Sequence, residues 1–162
     1  MVSVEHMDDK GTLTSKGETL IALGLTILKQ AVALNNYEKG WRVKDSDMPL
    51  GTAPTRNVGE LAALLHSEVT EAFESYRDNE PQLAYEYNWG DEVEIRKDPV
   101  MLVAGHENPV YGKPIGEASE LADVIIRVLD WADEREIPLI KAIIEKHKFN
   151  QTRAYRHGNK AC

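Results

Sequence analysis

The chain has 162 residues, 42% hydrophobic and 28% charged, with a formal net charge of −8. That profile fits one soluble globular domain and argues against broad binding to a nucleic-acid backbone. The only cysteine is Cys162, so no disulfide framework or thiolate zinc site can form within one chain. No apolar run approaches the roughly 20 residues that cross a bilayer, and the opening MVSVEHMDDKGTLTSKGE lacks the basic–apolar–small order of a signal peptide. A cytoplasmic protein with no membrane contact and no direct nucleic-acid binding is expected.

Residues 1–16 read as a loosely ordered N-terminus. Ser15 and Glu18 have capping-box spacing ahead of TLIALGLTILKQAVAL, which predicts a first helix from about Gly17 to Asn35. The stretch NNYEKGWRVKDSDMPLGTAPTRN has the Gly, Pro, Asp and Asn density of a long loop, and long loops in compact domains are often functional. Asn57 is placed to cap a second helix over Val58–Arg77. Residues 79–115 show strand alternation with a turn around Asn88–Asp91, a small β-hairpin. A third helix is predicted from about Ile115 to Asp133. Pro138, suited to a first helical position, opens a fourth that continues to Thr152. The result is a mainly α domain over 17–153, a four-helix bundle with a β-containing insertion at 79–115 and a basic tail at 154–162.

Two of these helices carry carboxylates inside apolar patterns. At about 100° per residue, Leu61, Leu64, Leu65, Val69, Ala72, Phe73 and Tyr76 share one face of the second helix. Glu68 falls within that arc, Glu71 at its edge, and Glu74 points away. On the third helix Leu121, Val124, Ile125, Val128, Leu129, Trp131 and Ala132 cover most of the circumference. Glu120, Asp123, Arg127 and Asp130 form a stripe roughly 80° wide, so this helix is expected to be largely enclosed.

Carboxylates three residues apart on a helix are neighbours, and burying two together costs several kcal/mol per ion, on the order set by desolvation, unless something compensates. A hard divalent cation such as Mg²⁺ does so with oxygen ligands. Ordinary ion pairs do so as well, Glu68 with a basic residue and Asp123 with Arg127. A di-iron site is disfavoured, because none of the five histidines follows a glutamate by three residues. Acid–x–x–acid spacing alone says little in so acidic a chain; Asp130–Asp133 is one of several such pairs that need no explanation.

In the fourth helix Lys146, Asn150 and Arg153 follow i, i+4, i+7 and share a face suited to phosphate oxygens. Cations complementing the helix C-terminus are the plainer alternative. Lys148 lies off this face, toward solvent. Trp41 in the first loop either stacks on a base or anchors the loop by packing. Trp89 and Trp131 fit hairpin and core packing, His66 packs near the rim of the second helix, and His157 lies in the tail.

The segments RNVGELAALLHSEVTEAFESYR, GKPIGEASELADVIIRVLD and EKHKFNQTRAYRHGNK resemble the all-α nucleoside triphosphate pyrophosphohydrolases, also called MazG-like, in their small single-domain branch. The pairs EVTE and ELAD, with the K-x-x-x-N-x-x-R ending, carry the resemblance, over about residues 17–78 and 111–160. It implies a MazG-type helical bundle, a dimer or tetramer, and hydrolysis of a (d)NTP to the monophosphate and pyrophosphate. It implies Mg²⁺, with Mn²⁺ able to substitute, held by Glu68, Glu71, Glu120 and Asp123. One of these or an adjacent carboxylate would orient the attacking water. Lys146, Asn150 and Arg153 would hold phosphates or sugar, and Arg127 would reach the phosphates. The alternatives are a nucleotide-binding module without turnover, a hydrolase of an alarmone-type guanosine polyphosphate, and a structural helical protein whose acids only form ion pairs. Segment 79–115, longer than the compact family pattern, would cap the site, support oligomerisation or read the base.

Overall fold

The computed structural model describes residues 5–42 and 56–154. Four helices and five short strands occur among them, in the order α1 (Ser15–Glu38), α2 (Val58–Arg77), β1 (Ala84–Trp89), β2 (Glu92–Arg96), β3 (Val100–Met101), β4 (Val110–Tyr111), β5 (Lys113–Ile115), α3 (Glu117–Glu134), α4 (Leu139–Gln151). The mainly helical class with a β insertion between the acidic helices is as expected. The chain divides into two compact units, 1–55 with 129–162 and 56–128, so the boundary falls within α3.

In the first unit, α1 starts after Thr14, whose hydroxyl accepts from the Gly17 amide at 3.2 Å. Thr14, not Ser15, is therefore the cap, because its extended backbone turns the hydroxyl back over the open first turn. The helix also runs three residues past the expected Asn35. By length and composition α1 is sufficient to span a membrane, which the apolar-run criterion overlooked because its threonines and Gln30 interrupt the run. A core helix of a soluble protein passes the same test, so α1 is weak evidence either way. Leu20, Leu23, Ile27 and Leu34 leave one side of α1 apolar and exposed. Its other side meets α4, where Lys148 binds Glu18 at 2.7 Å and the His147 ring bonds the Gly11 carbonyl at 2.9 Å. Lys148 is thus paired rather than simply solvated. Pro138 caps α4 from outside its first turn and offers no side-chain hydrogen bond; the Leu139 amide bonds Ile137 O at 2.7 Å.

In the second unit, Asn57 caps α2 as expected, its Oδ1 accepting from Gly59 and Glu60. The β segment exceeds a hairpin: β2, β1 and β5 form an antiparallel sheet in that order, and β3 pairs with β4. Gly90–Asp91 makes the two-residue turn, with Trp89 opposite Glu92, and Gly90 has φ +75°, the left-handed backbone such turns need. Tyr87, 1% exposed, is the centre of this unit; its hydroxyl donates to Asp98 O at 2.8 Å and its ring stacks with Trp89. Ile115 belongs to β5, so α3 starts at Glu117, later than expected. Gly116 makes the joint: at φ +95°, a Cβ there would lie 2.1 Å from Pro81 O. The Ala118 amide then bonds Gln82 O at 2.9 Å, fixing where α3 begins.

Candidate metal centre

On α2 the buried positions are Leu61, Glu68 and Ala72, spaced i, i+7, i+11 along one stripe. Val69, Phe73 and Tyr76, expected on the same face, are rotated out of that stripe and exposed. Glu68 is buried at 7% exposure, and Glu71 is exposed at the margin. A narrow buried stripe explains both: only residues within a small arc of Leu61 are covered.

On α3, Glu120 and Asp123 are half-buried. One carboxylate oxygen from each of Glu68, Glu120 and Asp123 lies within 4.8 Å of the others. These are three of the four acids the sequence singled out. Glu71 stands beside them; its Oε1 accepts from Ser67 Oγ at 2.7 Å, and its charge reaches Glu120. Burial, first, and then the charges of Glu71, Asp123 and Glu68 push the Glu120 carboxyl above its ordinary value, while Lys113 pulls the other way. Arg127 pairs with Glu68: Nε donates to Oε1 at 2.9 Å, and Nη2 lies 2.9 Å from the same oxygen. The expected alternative of ion pairing thus holds for Glu68, although its partner is the arginine assigned to Asp123. An all-carboxylate donor set of this kind suits a hard cation such as Mg²⁺ or Mn²⁺.

Asp130 leaves the predicted stripe. It is 3% exposed and sits in the first unit, where Arg42 Nη2 meets its Oδ1 at 2.6 Å and Asn36 Nδ2 donates to the same atom at 2.6 Å. Arg42 Nη1 meets Asp133 Oδ2 at 2.8 Å, and Lys29 Nζ meets Asp133 Oδ1 at 2.8 Å. Burial works against both charged forms, but the hydrogen bonds from Lys29 and Arg42 hold Asp133 below its ordinary value. In the same way Asp133 and Asp130 hold Arg42 above its own. Sequence reasoning missed this cluster. Its one signal was an acid, Asp130, beside Leu129 and Trp131 in an otherwise apolar turn.

Lys146 and Arg153 lie 5.7 and 6.0 Å from the Phe149 ring centroid, but α4 ends at Gln151, so Arg153 lies past the helix on which it was expected; Asn150 is exposed. Trp41 is 70% exposed, so it is not packed, whereas Arg42 next to it is buried. The expected enclosure of α3 is not seen either, since Leu121, Ile125 and Ile126 are exposed. His66 is exposed rather than packed. Trp89 packs in the hairpin as expected, and His157 lies outside the described residues. A scan against protein-family models and searches of the curated proteins and the solved structures return no match.

Proposed function

We propose that the protein is a Mg²⁺-dependent nucleoside triphosphate pyrophosphohydrolase that releases a (d)NMP and pyrophosphate from a (d)NTP. The observation that carries this reading is an excess of carboxylate in a partly buried place. Glu68, Glu120 and Asp123 converge within 4.8 Å, with Glu71 alongside, against the paired Arg127 guanidinium and the Lys113 ammonium that also acts on Glu120. Like charges so placed raise each other's free energy, and a divalent cation relieves that with no new protein contact. The motifs EVTE and ELAD, through the family they resemble, supply the reaction.

Held there, the cation would polarise the phosphoryl oxygens and supply an activated water. The chain's own residues do the rest. Glu68, Glu120 and Asp123 bind. Glu71, exposed and fixed by Ser67, orients the attacking water and takes its proton. Arg127 neutralises charge on the phosphate chain as the anhydride bond breaks and pyrophosphate leaves with the bridging oxygen. The parts of Lys146, Asn150, Arg153 and Trp41 in substrate binding rest on the sequence pattern alone.

The working form is a homo-oligomer. Supporting this, α1 exposes Leu20, Leu23, Ile27 and Leu34 along one side, and α2 exposes Val69, Phe73 and Tyr76, apolar faces of the kind that a second copy covers.

Asp123→Asn tests the reading with little change of shape. Turnover should fall at least about a hundredfold, with the circular dichroism spectrum unchanged. Near-normal turnover in that variant would count decisively against it.

A further inference from the structure

Arg127 and a bound cation would draw on the same carboxylate. Both Nε and Nη2 lie 2.9 Å from Glu68 Oε1, and Glu68 is one of the three acids that converge. The two partners are unequally held. The Glu68 side chain is 9% exposed and that of Arg127 is 38% exposed. The acid therefore stays in place, while the arginine, on a long flexible stem, has a path to solvent.

We propose that Arg127 is an exchangeable counter-ion: it neutralises Glu68 while the acidic cluster holds no cation, yields that carboxylate to a divalent cation, and so becomes free to grip the phosphate chain. This rests on the metal-dependent reading above and adds a coupling to it. A guanidinium fork suits phosphate as well as carboxylate, so the same side chain serves both states. Leaving Glu68 would cost the arginine one hydrogen bond and one ion-pair contact, which the phosphate oxygens restore. By linkage, cation and polyphosphate then each strengthen the other's binding. A pair that stays fixed would also oppose the cation through its charge, but it would lend nothing to the phosphate chain, so the phosphate complex separates the two.

The test is Mn²⁺ binding to the full chain, by electron paramagnetic resonance and calorimetry, in wild type, Arg127→Gln and Glu120→Gln. A second titration uses the preformed Mn²⁺–tripolyphosphate complex. The expected result is that Arg127→Gln binds Mn²⁺ alone roughly five- to tenfold tighter than wild type, yet binds the complex more weakly. Wild-type Mn²⁺ binding that is sensitive to Glu120→Gln overturns the exchange, and leaves the metal-dependent reading standing, if Arg127→Gln leaves it unchanged or weakened, or if that variant binds the complex no more weakly than wild type. No Glu120-sensitive Mn²⁺ binding in wild type overturns both. If Arg127→Gln does not fold, Arg127→Lys carries the test. It keeps the charge but loses the fork, so Mn²⁺ should bind tighter than in wild type by a smaller factor, and unchanged or weaker binding overturns the proposal.

Discussion

Two clusters of charge lie in the two units of this chain, and they are built on opposite terms. In the first unit, Asp130 and Asp133 are met by Arg42, Lys29 and Asn36 at 2.6–2.8 Å, and the ionised forms of Asp133 and Arg42 are favoured despite burial. In the second, Glu68, Glu120 and Asp123 converge with Glu71 beside them, Arg127 covers one of them, and the ionised form of Glu120 is disfavoured. The first is a finished ion-pair network that fixes the chain after α1. The second carries uncompensated negative charge, which folding alone does not call for. Perturbed acids in unbalanced clusters tend to mark function, and those in balanced ones structure.

The comparison breaks most visibly through stability. Asp130→Ala takes from the buried Arg42 guanidinium one of its two carboxylate partners, and breaking such a pair costs about 3 kcal/mol. For a chain of this size that lowers Tm by roughly 6–12 °C, read by thermal denaturation. A drop of a degree or less would show that the first cluster is not the structural one. Mg²⁺ should act on the other cluster only. At ten times its Kd it adds about 1.4 kcal/mol to wild type and to Asp130→Ala alike, and nothing to Glu120→Gln. Equal responses in all three would place the cation elsewhere.

The smallest effect is the most discriminating. Without metal, Glu120→Gln should raise stability by about 0.3–0.5 kcal/mol, the cost of a neighbouring like charge. Its counterpart is the pH dependence of the metal-free protein. Because Glu120 titrates above its ordinary 4.5, its contribution is fully present below that value and is lost as pH rises through the native pKa. Asp133 titrates below its ordinary 3.8, so its contribution is present above 3.8 and is lost as pH falls through its native pKa. Lowering the pH from neutral should therefore first stabilise the protein and then, below 3.8, destabilise it. Glu120→Gln removes the first limb and keeps the second. A melting profile with both limbs intact in that variant would contradict the assignment.

What could be read in the sequence was local. Asn57 and the apolar spacing behind it gave the bounds of α2 to the residue, and the strand alternation around Asn88–Asp91 gave the hairpin, because caps and tight turns are written in a few adjacent residues. Glu68 stood out because it lies on the same stripe as Leu61 and Ala72. What failed depended on partners far along the chain. Asp130 follows Glu120, Asp123 and Arg127 around α3, and no helical wheel reveals that it meets Arg42, 88 residues earlier. Periodicity also marks which residues are apolar without marking which are covered. Val69, Phe73, Leu121 and Ile125 fit a core pattern and are nevertheless exposed.

The first measurement is turnover of a panel of ribo- and deoxyribonucleoside triphosphates with Mg²⁺, resolving monophosphate, diphosphate, phosphate and pyrophosphate. Monophosphate and pyrophosphate in equal amounts from one or a few substrates is the expected result, and it identifies the base at the same time. Diphosphate with phosphate, or no product from folded protein with ample metal, would contradict the proposed reaction.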